Sequence, residues 1–418
     1  MDQYVRIQAL PQRSKYAVPR FPKPAGFRGT ARTKCWIYNA LMTGAQRLLT
    51  GVFLFTWLAG SSIPSSAQAD SEDAYDNLWS KARVYTGGDD SFFQSIDLSG
   101  RLQLDLAYVE SQVDSHHEFN VRRFRFGFKA LFLDKFTFHL EGEFDPQNSN
   151  SFYTRMTDAY LGWAFSETGM LKAGKHSAGF TLDGMTSSKK LLTVERNNLT
   201  NNIWFTEEYI PGIGVKGDKN GLQYFAGIFS SGNENPEFGD FTGGQFGLLT
   251  LGHDFAATSA AKQALLRLNL VYNEPDPDNG FTNLLEKIAS LTFSYESDAS
   301  WGMRADISAA SGYFGQPDIW GFVVMPFYRF NEHTEVVARY TYVKSDGDNG
   351  VRIARYENSL VDGLGDRYTE VHLGFNYFWY GHKLKLQNGV QYLEMHDRAN
   401  DGGAYSGWSW TTGFRVSW

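Results

Sequence analysis

The sequence predicts an all-β protein: a transmembrane antiparallel β-barrel of about 16 strands with an inward-folded third loop. Apolar and polar residues alternate along most of residues 94–418, and the connections between alternating segments are long and short in turn. Glycine (42 residues) and aromatic residues (16%) are abundant, whereas charged residues make up only 20%. This combination is typical of a barrel in which one face of each strand meets lipid and the other meets water.

Residues 1–69 have the organisation of a leader. Nine Lys and Arg residues precede an apolar run at 48–59, and small residues follow, ending in Ala67-Gln68-Ala69. A basic region, a short apolar core and an A-x-A site in this order indicate a secretory signal. The run is shorter than the roughly 20 residues of a membrane-spanning helix, although an N-terminal anchor is the alternative. We expect cleavage after about Ala69 and delivery to the cell outer membrane.

Charge and cysteine content exclude several classes. The whole chain has a net charge of −7, and residues 70–418 alone contain 30 Lys and Arg against 45 Asp and Glu, a net charge of −15. Such an acidic chain argues against nucleic acid as a partner. The single cysteine, Cys35, falls in the leader, which excludes a disulfide framework and a cysteine-rich zinc site.

The alternation defines the barrel strands. In residues 95–109, leucines and Tyr108 fall on one face while Arg101, Gln103 and Asp105 fall on the other, because successive strand side chains point to opposite faces. Residues 123–132 and 135–145 repeat the pattern. Further strands are predicted near 155–165, 170–175, 211–217, 221–229, 246–253, 264–273, 288–296, 301–309, 320–330, 335–343, 369–379, 383–393 and 408–418. Residues 70–93, which are polar, are expected to form a short periplasmic extension before the barrel domain at 94–418.

The connections support the same topology. Short turns at 133–134, 166–169, 218–220, 297–300, 331–334 and 380–382, with a somewhat longer one near 254–263, alternate with longer polar segments at 110–119, 146–154, 176–210, 230–245, 274–287, 310–319, 344–368 and 394–407. In a meander this places every long loop at one end, the pattern of periplasmic turns and extracellular loops. The last strand ends in Trp418, and terminal strands ending in an aromatic residue are similar to those that the barrel assembly machinery recognises.

The third long connection, 176–210, contains apolar residues such as Phe180, Leu182, Leu191, Leu192 and Val194. Loops of this length are usually functional or disordered, and its apolar content predicts that it packs on another part of the molecule. The interior of a barrel of about 16 strands is too wide to be filled by side chains. A third loop folded inward would narrow it.

Several motifs resemble the phosphate-selective porin O and P family. They are Arg122-Arg123-Phe124-Arg125-Phe126-Gly127-Phe128-Lys129, then Asp158-Ala159-Tyr160-Leu161-Gly162, then the run from Thr186-Ser187-Ser188-Lys189 to Glu195-Arg196. Their order and separations match, and the resemblance covers most of 95–418. It implies a 16-stranded homotrimeric outer-membrane porin whose third loop constricts the channel and whose members of known selectivity pass anions, including phosphate.

The resemblance also implies site residues. The family's paired arginines match Arg122 and Arg123, its constriction aspartate matches Asp158, its loop serines match Ser187 and Ser188, and its loop arginine matches Arg196. Arg125, Lys129, Lys189 and Lys190 complete the candidate pore set. The family's lysine before the serine pair is absent, and Lys189 and Lys190 follow the pair instead. By phase Arg122 shares the lipid face with Phe124, which is tolerable only near an interface or at a bulge.

The expected function is passive diffusion of small hydrophilic solutes through a water-filled channel, with a preference for anions that extends to phosphate or polyphosphate. Carboxylates such as Glu141 share the inner face with the basic residues, so a cation-preferring or non-selective porin is one alternative, and a plugged structural or adhesive barrel is another. No G-x-S-x-G or H-E-x-x-H motif occurs, so no enzyme activity and no cofactor or metal are expected. The pair His116-His117 is assigned to a loop, as is Asp346-Gly347-Asp348-Asn349-Gly350, which lacks the glutamate of a calcium loop.

Overall fold

The computed structural model describes residues 74–88, 90–112, 114–204, 208–231, 237–238, 243–279 and 283–418. The leader and its expected cleavage site after Ala69 lie outside the described residues. Within them, no helix is long and apolar enough to cross a membrane.

Sixteen antiparallel strands form a closed barrel, β2 to β17, in which each strand pairs with the next and β17 pairs with β2. A short additional strand, β1, precedes them. The strands are β1 Arg83–Thr86, β2 Phe93–Ser111, β3 Ser115–Phe132, β4 Phe136–Phe144, β5 Tyr153–Ala164, β6 Gly169–Ser177, β7 Tyr209–Lys219, β8 Leu222–Ser230, β9 Gln245–Asp254, β10 Ala261–Asn273, β11 Leu285–Ser297, β12 Trp301–Gly312, β13 Ile319–Arg329, β14 Thr334–Ser345, β15 Arg367–Tyr380, β16 Leu384–His396 and β17 Tyr405–Ser417. The prediction of a closed 16-stranded barrel is confirmed.

Polarity in the barrel is inverted relative to a water-soluble domain. On β2, Arg101 and Asp105 are buried at 6% and 1% exposure, whereas Leu106 and Tyr108 are exposed at 57% and 41%. The same contrast recurs around the ring, because the apolar face of each strand points outward and the charged face points into the lumen. An outward apolar band is what a lipid environment requires.

The connections alternate as predicted, with one correction. The loops at one end are 112–114, 145–152, 178–208, 231–244, 274–284, 313–318, 346–366 and 397–404. The expected first long loop, 110–119, is instead a tight turn, because β2 and β3 continue as a long hairpin. His116 and His117 therefore lie in β3, so their assignment to a loop was wrong. This part of β3 shows little alternation in the sequence, because Phe119 is the only apolar residue between Ser115 and Asn120.

Residues 74–86, which precede the barrel, pack against the end of the barrel opposite to the loops described above. Residues 74–80 are helical, and β1 pairs with the first residues of β2, beyond the point where β17 ends. The Trp79 indole Nε1 donates to the Ser417 carbonyl oxygen at 2.6 Å, and its ring packs against Tyr380 with centroids 5.1 Å apart. This segment therefore fastens onto the junction between the first and last barrel strands.

Candidate functional site

The third loop, L3 (residues 178–208), joins β6 to β7 and contains two short helices, Leu182–Met185 and Asn198–Ile203. The Asn197 side chain caps the second helix by accepting from the Thr200 backbone N–H at 2.8 Å, a contact typical of asparagine at a helix N-terminus. The apolar residues that predicted packing are buried: Phe180, Leu182, Leu191, Leu192 and Val194.

Strands on the far side of the ring hold the middle of L3 through its backbone. On β14, Arg339 Nη1 donates to the Glu195 carbonyl oxygen at 3.1 Å. On β15 to β17, Asn376 and Lys385 donate to the carbonyl oxygens of Leu192 and Leu191, at 2.8 and 2.7 Å, and Arg415 donates to that of Val194 at 3.2 Å. These donors come from inward-facing polar positions of the strands. The inner wall therefore positions L3 by hydrogen bonds that do not depend on the loop's side chains.

The two candidate loop serines differ in their surroundings. Ser188 is buried, and its hydroxyl accepts from Arg101 Nη1 at 2.7 Å. Its carbonyl oxygen accepts from Gln103 Nε2 at 3.1 Å. Ser187 is exposed, as is Lys190. Ser188 therefore fastens the loop to β2, whereas Ser187 and Lys190 face open space.

A β-bulge corrects the predicted orientation of Arg122. The register between β2 and β3 shifts where Gln103 and Leu104 pair with Arg123 and Val121, which leaves Arg122 as the inserted residue. Bulges commonly re-aim a side chain in this way. The Arg122 guanidinium pairs with Glu195 of L3, with Nη2 to Oε2 at 3.2 Å. The assignment of Arg122 to the lipid face was therefore wrong. Arg122, like its neighbour Arg123, points into the barrel.

Two more candidate residues, Arg125 and Arg196, lie near Arg122 and Arg123. Arg125 Nε donates to Glu143 at 3.0 Å, and its Nη1 donates to the Tyr209 hydroxyl at 2.6 Å. Arg196 donates to the Asp183 carbonyl oxygen at 2.9 Å and pairs with Glu208 at 3.4 Å. Arg123 lies within electrostatic reach of Arg122, Arg125 and Arg196. The structure thus brings four predicted arginines into one cluster between β3 and L3.

The arginines of this cluster differ in how they are neutralised. Burial would raise the pKa of Glu208, but the guanidinium groups of Arg196 and Arg125 lower it to about 2. Glu208 therefore remains ionised and balances them. Arg123 is different: it donates to the Gln103 amide oxygen at 2.9 Å and, within the described part of the chain, forms no ion pair with a carboxylate. Arg123 is buried, so its guanidinium contributes a positive charge to the cluster that no direct ion pair among the described residues neutralises.

Asp158 and Lys189 lie within electrostatic reach of each other and of Arg101. Asp158 pairs in register with Glu141, and its Oδ1 lies 3.7 Å from His139 Nδ1. Lys189 Nζ donates to the Trp418 carbonyl oxygen at 3.0 Å. Burial, with added repulsion from Arg101, lowers the pKa of Lys189 to about 8. Lys129 is exposed on β3, and among the residues that the structure describes its side chain has no hydrogen bond or ion pair.

A second loop, L7 (residues 346–366), also reaches this region. The Tyr356 hydroxyl donates to Asp105 Oδ2 at 2.6 Å, and the Asn198 side chain of L3 donates to the Arg352 carbonyl oxygen at 2.8 Å. Val351 and Ile353 are buried in the same apolar cluster as L3. This packing was not predicted from the sequence, although residues 351–356 contain apolar side chains like those that predicted the packing of L3.

Comparison with known proteins gives a family match over part of the chain and a shared fold. Residues 96–250 match the model of the phosphate-selective porin O and P family. No curated protein sequence is detectably similar to the chain.

No group of three or more His, Cys, Asp or Glu residues in the described ranges could hold a metal ion.

Solved outer-membrane proteins share the fold at low sequence identity. OprB of Pseudomonas putida is 12% identical, with a TM-score of 0.56 over 77% of this chain and 94% of that chain. The outer membrane channel DcaP of Acinetobacter baumannii is 14% identical, with a TM-score of 0.52 over 80% and 100%. A mutant Rh. blastica porin is 14% identical, with a TM-score of 0.51 over 77% and 100%. The resemblance found in the sequence is confirmed: residues 96–250 carry the pattern of the phosphate-selective porin O and P family, within a porin fold.

Proposed function

We propose that the protein is a passive outer-membrane channel for small hydrophilic solutes, with a preference for anions. One observation carries the preference: Arg123 lies among Arg122, Arg125 and Arg196 but has only the neutral Gln103 as a partner. The carboxylates Glu143, Glu195 and Glu208 already belong to the other three arginines. An anion that passes this cluster is attracted by a guanidinium that no carboxylate in the described part of the chain pairs with directly.

We also propose that L3 narrows the lumen. Its support is the set of hydrogen bonds from inward-facing residues of β2 and β14 to β17 to a loop that begins and ends at β6 and β7. A loop bonded to the inner face of both sides crosses the interior between them. Attachment of L7 to the same loop would make the narrow region a two-loop structure.

Phosphate or polyphosphate is the finer proposal for the permeant. Guanidinium groups match phosphate oxygens well, and a selective pore must also release what it binds. Two features weaken a phosphate-specific site: the Ser188 hydroxyl is occupied by Arg101, and Lys189 and Lys190 follow the serine pair. A cation-preferring pore remains the second candidate, because Glu141 and Asp158 lie side by side in register on the same inner wall.

The cellular setting is proposed from the fold and the family. The exposed apolar band fits outer-membrane lipid, and the last strand, which ends near Trp418, fits recognition by the barrel assembly machinery. A homotrimer follows from the family resemblance. Export would use the leader, with cleavage after about Ala69, and residues 70–93 would lie on the periplasmic side.

The reversal potential under a KCl gradient in a planar bilayer tests the anion preference. We expect the sign that corresponds to chloride preference, with phosphate reducing the chloride current. A sign that corresponds to potassium preference would overturn it, and absence of current from folded protein would overturn the channel itself.

The position of L3 has its own test. Ser187→Cys in exported protein, from which the leader and Cys35 are removed, is labelled with a bulky charged thiol reagent. We expect labelling to reduce single-channel conductance, whereas labelling of Asn150→Cys, exposed in the 145–152 loop, leaves it unchanged. Equal conductance in both labelled variants would place L3 outside the ion path.

A further inference from the structure

The inner wall formed by β7 to β10 carries a half-buried aromatic ring beside two cations. Phe225 on β8 pairs directly with Lys216 on β7 and with Thr250 on β9. It lines a cavity of 680 Å³ together with Lys216, Arg267, Gln223 and Met185 of L3. The volume lies within the range of about 300–1,000 Å³ that is common for small-molecule sites.

Glycines let the Phe225 ring lie flat on the wall. A Cβ at Gly214 would stand 2.6 Å from Phe225 Cζ, so a larger residue there would displace the ring. On one side Phe225 stacks on Phe229, with centroids 6.1 Å apart and an angle of 23° between the rings. Phe229 is buried under Phe246. Phe225 is therefore the exposed end of a fixed aromatic stack, and its free surface faces the cavity.

The two cations beside this ring have few fixed partners. Lys216 is exposed, and its side chain forms no hydrogen bond or ion pair with any described residue. Arg267 lies across Gly252, where a Cβ would stand 2.6 Å from Arg267 Cγ, and reaches Gln223 Oε1 with Nη2 at 2.7 Å and Nε at 3.0 Å. Two carboxylates, Glu167 and Asp218, also line the cavity, and Asp218 accepts from Gln223 Nε2 at 2.8 Å. The Gln223 side-chain amide thus lies between the Asp218 carboxylate and the Arg267 guanidinium.

We propose that this cavity is a binding site for organic anions that carry a flat apolar ring, such as aromatic carboxylates. The ring packs on Phe225 and Met185, while the carboxylate lies between Lys216 and Arg267. Aromatic pairs prefer offset or tilted contacts of this kind, and a fixed ring loses little entropy on binding. The inference rests on the proposed function, since the anion must enter the lumen to reach the site.

Block of the KCl current in planar bilayers tests the site. Benzoate is the probe, acetate controls for charge alone, and benzyl alcohol controls for the ring alone. We expect half-maximal block at a lower concentration for benzoate than for either control. Phe225→Leu should weaken the benzoate block about two- to tenfold, the effect of one aromatic pair, and leave the acetate block unchanged. Lys216→Gln should weaken both.

The control variant is Phe128→Leu, because Phe128 lies on the outward face of β3. Benzoate should block its KCl current at the same concentration as that of the unmodified protein. Benzoate no more effective than acetate, or a benzoate block that Phe225→Leu leaves unchanged, would overturn the site while the channel stands. No KCl current from folded, unmodified protein would instead overturn the proposed function.

Discussion

The two sides of the inner wall use positive charge differently. Along β2, β3 and β14 to β17, most inward-facing arginines are buried and paired, as in Arg339 with Glu370 at 2.6 Å and Arg101 with Glu141 at 3.3 Å, whereas Arg123 on β3 has only Gln103 as a partner among the residues described. Along β7 to β10, Lys216 and Arg267 have no carboxylate within ion-pair distance in the described residues. We therefore propose that most paired arginines hold loops in place, whereas permeating ions respond to the cations left unpaired.

The largest expected effect comes from breaking a pair that holds L3. Arg339→Met leaves Glu370 buried without its partner and removes the bonds to Thr193 and Glu195 of the loop. Loss of one partner of a buried pair costs about 3–5 kcal/mol of stability, so the temperature of unfolding, followed by gel mobility after heating, should fall.

A double variant separates folding from loop attachment. Arg339→Met with Glu370→Met removes both charges, a change that is often tolerated. We expect this variant to fold and to conduct more than the unmodified protein, because L3 loses one anchor. An unchanged conductance in a well-folded double variant would show that the pair does not restrain the loop.

A smaller effect is expected where L7 meets the wall. Tyr356→Phe removes the hydroxyl that donates to Asp105, which also pairs with Arg415, the anchor of Val194. A hydrogen bond to a charged group is worth about 1.5–3 kcal/mol. The temperature of unfolding should fall and the open-channel current noise should rise. Tyr340→Phe, on the outward face, serves as the control and should change neither quantity.

The smallest effect is a pH dependence of selectivity. Because the pKa of Lys189 is lowered to about 8 by burial and by Arg101, its ammonium loses its charge as pH rises through that value. Chloride preference should therefore decline between about pH 7 and pH 9. Lys189→Arg should abolish the change by keeping the charge, and Lys189→Gln should show the high-pH selectivity at all pH values. A decline of the same size in Lys189→Arg would assign it to another group.

Much of the fold, but less of the site, follows from sequence. Alternation locates strands because a strand between lipid and water must be two-faced, and the predicted 320–330 and 335–343 lie within two residues of β13 and β14. Alternation is weak at Ser115 to Asn120, where Phe119 is the only apolar residue, and it fails at Arg122, where one inserted residue reverses the phase. The phase places Arg123 and Arg339 on the inner face, but it does not show that Arg339 pairs with Glu370 of β15 while Arg123, within the described ranges, bonds only the neutral Gln103.

The most direct test of this contrast is the chloride-to-potassium permeability ratio of three proteins in the same bilayer: the unmodified protein, Arg123→Gln, and Arg122→Gln with Glu195→Gln. The first variant removes an unpaired charge, and the second removes a pair without changing the net charge. We expect Arg123→Gln to move the ratio toward potassium and the double variant to leave it nearly unchanged. A shift in the double variant as large as that in Arg123→Gln, or no shift in Arg123→Gln, would contradict the division between loop-holding and ion-contacting arginines.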